Sequence, residues 1–125
     1  MKKVLTLLFL FLMVLSFTTV HADDLADVTK AGVLRFGVAP EYIPFIFFDK
    51  DNNETGIDVA LMDEICRRMG VKLQIVDLAF DGIIDSLNIG QVDVIGGALS
   101  KTDSRAEQID FTRVYDQLVE LGVYE

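Results

Sequence analysis

Residues 56–76 have the sequence GIDVALMDEICRRMGVKLQIV, and this stretch decides the fold class. Apolar side chains recur in it at intervals of three and four residues, which is typical of a helix with one buried face. Asp58 is a suitable N-cap for this helix. Arg67 and Arg68 suit the negative end of a helix, and Gly70 is a suitable residue to end it. The β-prone residues 71–76 come next, so the stretch predicts a helix followed by a strand. The apolar positions are Leu61, Met62, Ile65, Cys66 and Met69.

The same alternation extends to both sides of this stretch. Residues 33–38 and 45–48 are predicted as strands, residues 81–89 as a second helix, and residues 92–95 as a further strand. Strands joined by helices cannot pair as hairpins, so we expect them to lie parallel. The predicted fold is an α/β domain with an open, mainly parallel sheet and flanking helices.

Three loops follow the predicted strands, at residues 39–44, 77–80 and 96–105. Ligands of open α/β sheets bind outside the carboxyl ends of the strands. We therefore expect these loops to meet at one edge of the sheet and to carry the functional site.

The amino terminus has the pattern of a secretory signal peptide. Two lysines precede the apolar run 4–15, and a softer stretch leads to Ala22, after which we expect cleavage. The alternative is an uncleaved membrane anchor, but a serine and two threonines interrupt the run before it reaches the roughly 20 residues of a span. Residues 1–22 are thus predicted as a signal peptide. Residues 23–125 are predicted as one periplasmic domain that does not insert into the membrane.

Charge argues against a nucleic-acid partner. The whole chain carries a formal charge of −9, and removal of a leader with two lysines and no acid would leave −11. Phosphate backbones would be repelled by such a protein.

The sequence also offers few groups for catalysis or metal binding. His21, the only histidine, lies in the predicted leader, and Cys66 is the only cysteine, expected to be a buried, inert thiol. Residues 49–60 begin like a calcium loop but have Glu54 where glycine is needed and Ala60 where the last acidic ligand belongs. We predict no cofactor, no metal site and no catalytic residue.

Arg105 differs from an ordinary surface charge because of its place in the loop 96–105. Thr102 is a suitable N-cap, so Arg105 falls in the first turn of a helix, where the dipole disfavours a cation. An anion held between the guanidinium and the helix N–H groups would offset that cost. An ion pair with Asp103, Glu107 or another acid would do the same. The local sequence leaves both interpretations open.

Five motifs follow one another along the chain: GVAPEYIPF at 37–45, GIDVALM at 56–62, FDGIIDSL at 80–87, DVIGGALSKTDSR at 93–105 and IDF at 109–111. Together they resemble the polar amino-acid-binding proteins of ABC importers, family 3 of the bacterial solute-binding proteins. The likeness covers about residues 32–115, in order and at the family's spacing. It implies a periplasmic-binding-protein-like lobe that binds an amino acid and serves an ABC permease in the inner membrane.

The resemblance implies roles for individual residues. Arg105 matches the arginine that binds the ligand α-carboxylate, and Ser100 matches a hydroxyl that commonly supports it. Gly97 and Ala98 match the segment whose backbone carbonyl receives the ligand ammonium.

Two aromatic residues match positions in the ligand site of the family. Tyr42 and Phe80 match the aromatic residues that flank the ligand side chain. The alternative interpretation is that both side chains pack in the core.

Two residues depart from the family pattern. Ala39 replaces an acid found in several members, which puts a lysine- or arginine-type ligand in doubt. Leu73 stands where some relatives have a cysteine able to pair with the one matched by Cys66.

The resembled family has two lobes joined by a hinge. The chain ends at Glu125, so we expect a truncated N-terminal lobe over residues 23–125, with the second lobe absent and amino-acid binding roughly millimolar or weaker. The expected function is the periplasmic amino-acid-binding component of an ABC importer, without enzymatic activity. The alternatives are a sensor or interaction domain of the same fold and a fragment of a cyclohexadienyl-dehydratase-like enzyme.

Overall fold

The computed structural model describes residues 24–40 and 42–115 of the chain. The predicted signal peptide and its cleavage site lie outside these residues, as do residues 116–125. Within the described part, no helix is both long enough and apolar enough to span a bilayer. The elements are α1 (Asp24–Ala31), β1 (Val33–Val38), β2 (Phe47–Phe48), β3 (Glu54–Thr55), α2 (Ile57–Met69), β4 (Lys72–Asp77), a 3-10 turn (Phe80–Gly82), α3 (Ile83–Asn88), β5 (Val94–Gly96) and α4 (Asp103–Ala106).

The main sheet has three strands in the order β4–β1–β5, and both pairs are parallel, as the sequence predicts. Val38, the last residue of β1, lies opposite Asp77 on one side and Gly96 on the other. The three strands therefore end at one edge, and the loops that follow them begin side by side.

Helices α1 and α2 pack against this sheet and close a hydrophobic core. Phe36 and Val38 of β1 are 2% and 0% exposed. Cys66 is buried in the same cluster, as predicted, and Leu73 packs against that cluster. Burial, and secondarily the charge of Asp63, raises the pKa of the Cys66 thiol. The apolar positions of α2 do not all face this core, because Leu61 and Ile65 remain partly exposed.

The predicted strand at 45–48 differs from the observed structure. Only Phe47–Phe48 is strand, and it pairs antiparallel with Glu54–Thr55 outside the main sheet. The reason is the connection, which is a tight turn and not a helix: Asp49 Oδ1 accepts the backbone N–H groups of Asp51 and Asn53 at 2.8 and 2.9 Å. A short connection of this kind permits an antiparallel hairpin.

Other boundaries shift, and one helix was not predicted. The strands expected at 71–76 and 92–95 are observed at Lys72–Asp77 and Val94–Gly96, and the helix expected at 81–89 divides into the 3-10 turn and α3. Helix α1 is additional. It buries Val28 against the core, and the N–H of Gly32 donates to the Val28 carbonyl at its end.

Asp58 is not the N-cap of α2, which corrects the sequence prediction. The helix begins at Ile57, and Gly56 is its N-cap with φ of 130°. The N–H groups of Ile57 and Asp58 donate to the carbonyls of Pro44 and Phe45, both at 3.0 Å, so backbone groups satisfy the helix start. A Cβ at position 56 would lie 2.2 Å from the Phe45 oxygen, so only glycine fits.

Candidate functional site

The side chain of Arg105 folds back over the loop that follows β5. Thr102 caps α4 as predicted, with Oγ1 accepting the Arg105 N–H at 3.3 Å. Arg105 Nη1 donates to the Ser100 carbonyl at 2.8 Å. In one interpretation of the sequence, the dipole of this helix helps to bind an anion. Helix α4 is only one turn long, so its dipole contributes little.

Arg105 also lies over the ring of Phe80, with 5.4 Å between the guanidinium carbon and the ring centroid. This is a cation–π distance. Phe80 opens the 3-10 turn after β4 and is 53% exposed, so its ring is accessible beside the arginine. The contact joins two of the three loops that the sequence predicts to meet.

Arg105 has no carboxylate within ion-pairing distance among residues 24–40 and 42–115. The ion pairs found there join Arg35 to Asp93, and both Arg67 and Arg68 to Glu64. The local sequence left two interpretations of Arg105 open, a bound anion and an ion pair with a nearby acidic side chain. No described residue forms such an ion pair with Arg105. The guanidinium, held at one nitrogen by the Ser100 carbonyl, retains further N–H donors for a ligand.

Gly97 and Ala98 follow β5 in a backbone conformation that L residues rarely adopt, with φ of +97° and +55°. Both of their N–H groups donate to Asp58 Oδ2, at 2.8 and 3.0 Å. A Cβ on Gly97 would lie 3.3 Å from Ile46 Cγ2 and 3.7 Å from the Ala39 carbonyl oxygen. The loop after β5 therefore lies against the loop after β1, and all three loops are neighbours.

The remaining predicted residues are less closely joined to this group. Tyr42 is 46% exposed and pairs with Phe45 at 5.9 Å between ring centroids, and no described contact links it to Phe80 or Arg105. Ser100 is exposed, and it is its carbonyl that contacts Arg105. Its hydroxyl makes no hydrogen bond within the described part of the chain.

Asp58, which is not among the residues predicted to form the site, is 1% exposed. Besides the two N–H groups on Oδ2, its Oδ1 accepts the hydroxyl of Tyr115 at 2.8 Å. A signal was present in the sequence: Asp58, Met62 and Cys66 recur every four residues and so lie on the same buried face of α2. A carboxylate on that face needs donors, and the loop after β5 provides them.

A second acidic group lies beside the carboxyl end of β4. Burial, followed by the hydrogen bond and charge of Asp77, raises the pKa of Glu54 to about 7. Glu54 Oε1 is buried and has no hydrogen-bond partner in the described structure. This carboxyl therefore changes charge near neutral pH.

Two cavities lie along β5 and the segment 109–115. Their volumes are about 450 and about 200 Å³, and both are lined by Val94, Ile95, Gly96, Thr112 and Tyr115. None of the six predicted site residues lines either cavity. We place the candidate site on the loops because its charged and aromatic groups converge there, and a site formed by one open surface encloses no cavity.

The amino-acid sequence matches the model of a known protein family. Residues 34–124 match the model of the bacterial extracellular solute-binding proteins, family 3. The chain belongs to this family. This confirms the resemblance and the α/β fold expected from the sequence.

A curated relative of this solute-binding protein is the probable histidine-binding protein of Campylobacter jejuni. The two are 36% identical over 120 residues, which covers 92% of this chain and 46% of the relative. The chain thus spans under half the length of that relative.

Two solved structures show the likeness in three dimensions. A variant of the arginine-bound form of domain 1 from TmArgBP, the ArgBP of T. maritima, matches with a TM-score of 0.74 and 35% identity over 80% of this chain and 78% of that one. An ancestral cyclohexadienyl dehydratase matches with a TM-score of 0.74 and 27% identity over 78% of this chain and 40% of that one. The fold is therefore that of one domain shared by binding proteins and an enzyme.

Proposed function

We propose that this chain is the N-terminal lobe of a periplasmic protein that binds a small amino acid and delivers it to an ABC permease in the inner membrane. The observation that carries the proposal is the position of Arg105. Its guanidinium lies over the exposed ring of Phe80, without a carboxylate partner among the described residues, at the edge where β1, β4 and β5 end. A carboxylate from a ligand would complete this group.

Each side of a bound amino acid would meet a different part of the site. The Arg105 guanidinium would bind the α-carboxylate through two parallel hydrogen bonds, supported by the Ser100 hydroxyl. A backbone carbonyl of Gly97 or Ala98 would accept the ammonium, since no backbone hydrogen bond within the described residues uses either carbonyl. The rings of Phe80 and Tyr42 would flank the side chain.

The length of the relatives supports a second lobe outside this chain. One lobe offers one surface, and a small-ligand site typically buries about 70–90% of its ligand. We propose that a second lobe would cover the other side of the ligand. The existence of an arginine-bound form of domain 1 from TmArgBP supports capture by a single domain as the first step.

Calorimetric titration of the chain with a panel of amino acids tests the proposal. At least one should bind, and its analogue without the α-carboxylate should bind at least about tenfold more weakly, because a charge-assisted hydrogen bond is worth roughly 1.5–3 kcal/mol. An analogue that binds as tightly as the parent amino acid would contradict the proposed role of Arg105.

An enzymatic function is the second candidate, favoured by the likeness to an ancestral cyclohexadienyl dehydratase. Among the described residues, the Arg105 guanidinium contacts the Phe80 ring and the Ser100 carbonyl but forms no ion pair with an acidic side chain. Incubation with a cyclohexadienyl substrate would distinguish the two functions. Release of an aromatic product would support the enzyme, and binding without turnover would support the transporter component.

A further inference from the structure

The buried carboxylate of Asp58 determines how the backbone of Gly97 and Ala98 is oriented. Successive N–H groups that converge on one anion form a nest, and here the anion is Asp58 Oδ2. The conformation of Ala98 is one that an alanine rarely adopts without such support. The aspartate therefore holds the loop in its observed form.

The planarity of the peptide bond carries this constraint to the opposite side of the loop. In a trans peptide the C=O of one residue points away from the N–H of the next. Because the N–H of Ala98 points at Asp58, the carbonyl of Gly97 points away from it. The Gly97 carbonyl accepts no backbone hydrogen bond within residues 24–40 and 42–115.

We infer that Asp58 is a positioning residue for the ligand ammonium: by binding the N–H groups of Gly97 and Ala98, it directs the Gly97 carbonyl outward as the ammonium acceptor. This rests on the proposed function, because the ammonium belongs to the amino acid that Arg105 binds by its carboxylate. Asp58 does not touch the ligand in this scheme. Its effect is confined to the end of the ligand that carries the ammonium.

The test compares Asp58→Asn with Asp63→Asn. Asp63 is exposed on the same helix, so its variant is a matched control for removal of one acidic group. Each protein is titrated with an amino acid that binds the wild type and with its analogue lacking the α-ammonium. Asp58→Asn should reduce the preference for the amino acid over the analogue about tenfold, because a neutral amide oxygen is a weaker acceptor for the two N–H groups. Asp63→Asn should leave the preference unchanged.

Amide hydrogen exchange of Gly97 and Ala98 provides a readout that does not need the ligand. Both amides should be protected in the wild type and in Asp63→Asn, and should exchange faster in Asp58→Asn. Equal ligand preference in the two variants would overturn the inference, as would equal protection of these amides. If the wild type binds no amino acid, the proposed function and the ammonium assignment fail together, and the exchange rates alone then decide whether Asp58 orients the loop.

Discussion

Replacement of Gly96 by alanine should destabilise the protein although the new side chain is small. Gly96 ends β5 beside β1, and an added Cβ would lie 2.7 Å from Cε2 and Cζ of Phe36. The Phe36 ring would have to move by about 0.7 Å to restore ordinary contact, but it is 2% exposed and enclosed by the core. Overpacking of this kind costs about 1–3 kcal/mol. For a domain of this size each kcal/mol lowers Tm by about 4–8 °C.

Gly82→Ala is the matched control for this substitution. Gly82 has φ of −106° and nothing within 4 Å of an added Cβ, so the same chemical change meets open space. Urea unfolding followed by circular dichroism would give both free energies of unfolding. A Gly96→Ala protein within about 0.5 kcal/mol of Gly82→Ala would refute the reasoning that Gly96 allows β5 to approach Phe36.

Three further predictions concern titration, reactivity and processing. Because burial raises the pKa of Glu54 to about 7, its stabilising contribution is present below the unfolded pKa of about 4 and is lost as pH rises through about 7. Glu54→Gln should therefore be more stable than wild type at pH 8, and urea unfolding at pH 8 and pH 4 should show this advantage disappear at the lower pH; an equal difference at both would contradict it. The buried Cys66 thiol should react with a disulfide reagent only as fast as the protein unfolds, and prompt reaction of the native protein would show that it is accessible. Secreted protein should begin at Asp23, and an intact mass that still includes residues 4–15 would exclude cleavage after Ala22.

The sheet could be predicted because its strands and helices have regular apolar spacing. Helix α2 combines that spacing with a glycine stop, and Gly70 does end it in the left-handed conformation. The hairpin at 47–55 was harder to predict, because an apolar run such as residues 45–48 is compatible with a parallel strand and with an antiparallel one. What distinguishes them is the turn formed by Asp49, a contact between side chain and backbone.

The site was predictable in part for a similar reason. Thr102 and Arg105 are close in sequence, so local rules of capping place them correctly. The contact of Arg105 with Phe80 spans 25 residues, and the hydrogen bond from the N–H of Gly97 to Asp58 spans 39. Such contacts depend on how the loops meet, which periodicity does not reveal. The resemblance to the family predicted Phe80 as a site residue, whereas the hydrogen bonds between Asp58 and the loop after β5 were found only in the structure.

The central claim is that Arg105 binds the carboxylate of an amino acid, and the affinity of Arg105→Lys tests it most directly. Lysine keeps the charge but cannot form two parallel hydrogen bonds, so affinity should fall at least about tenfold while the circular dichroism spectrum is unchanged. Arg68→Lys is the control, because Arg68 is exposed on α2 and pairs with Glu64. It should bind as the wild type does. Equal affinity of Arg105→Lys, Arg68→Lys and wild type for the same amino acid would contradict the claim.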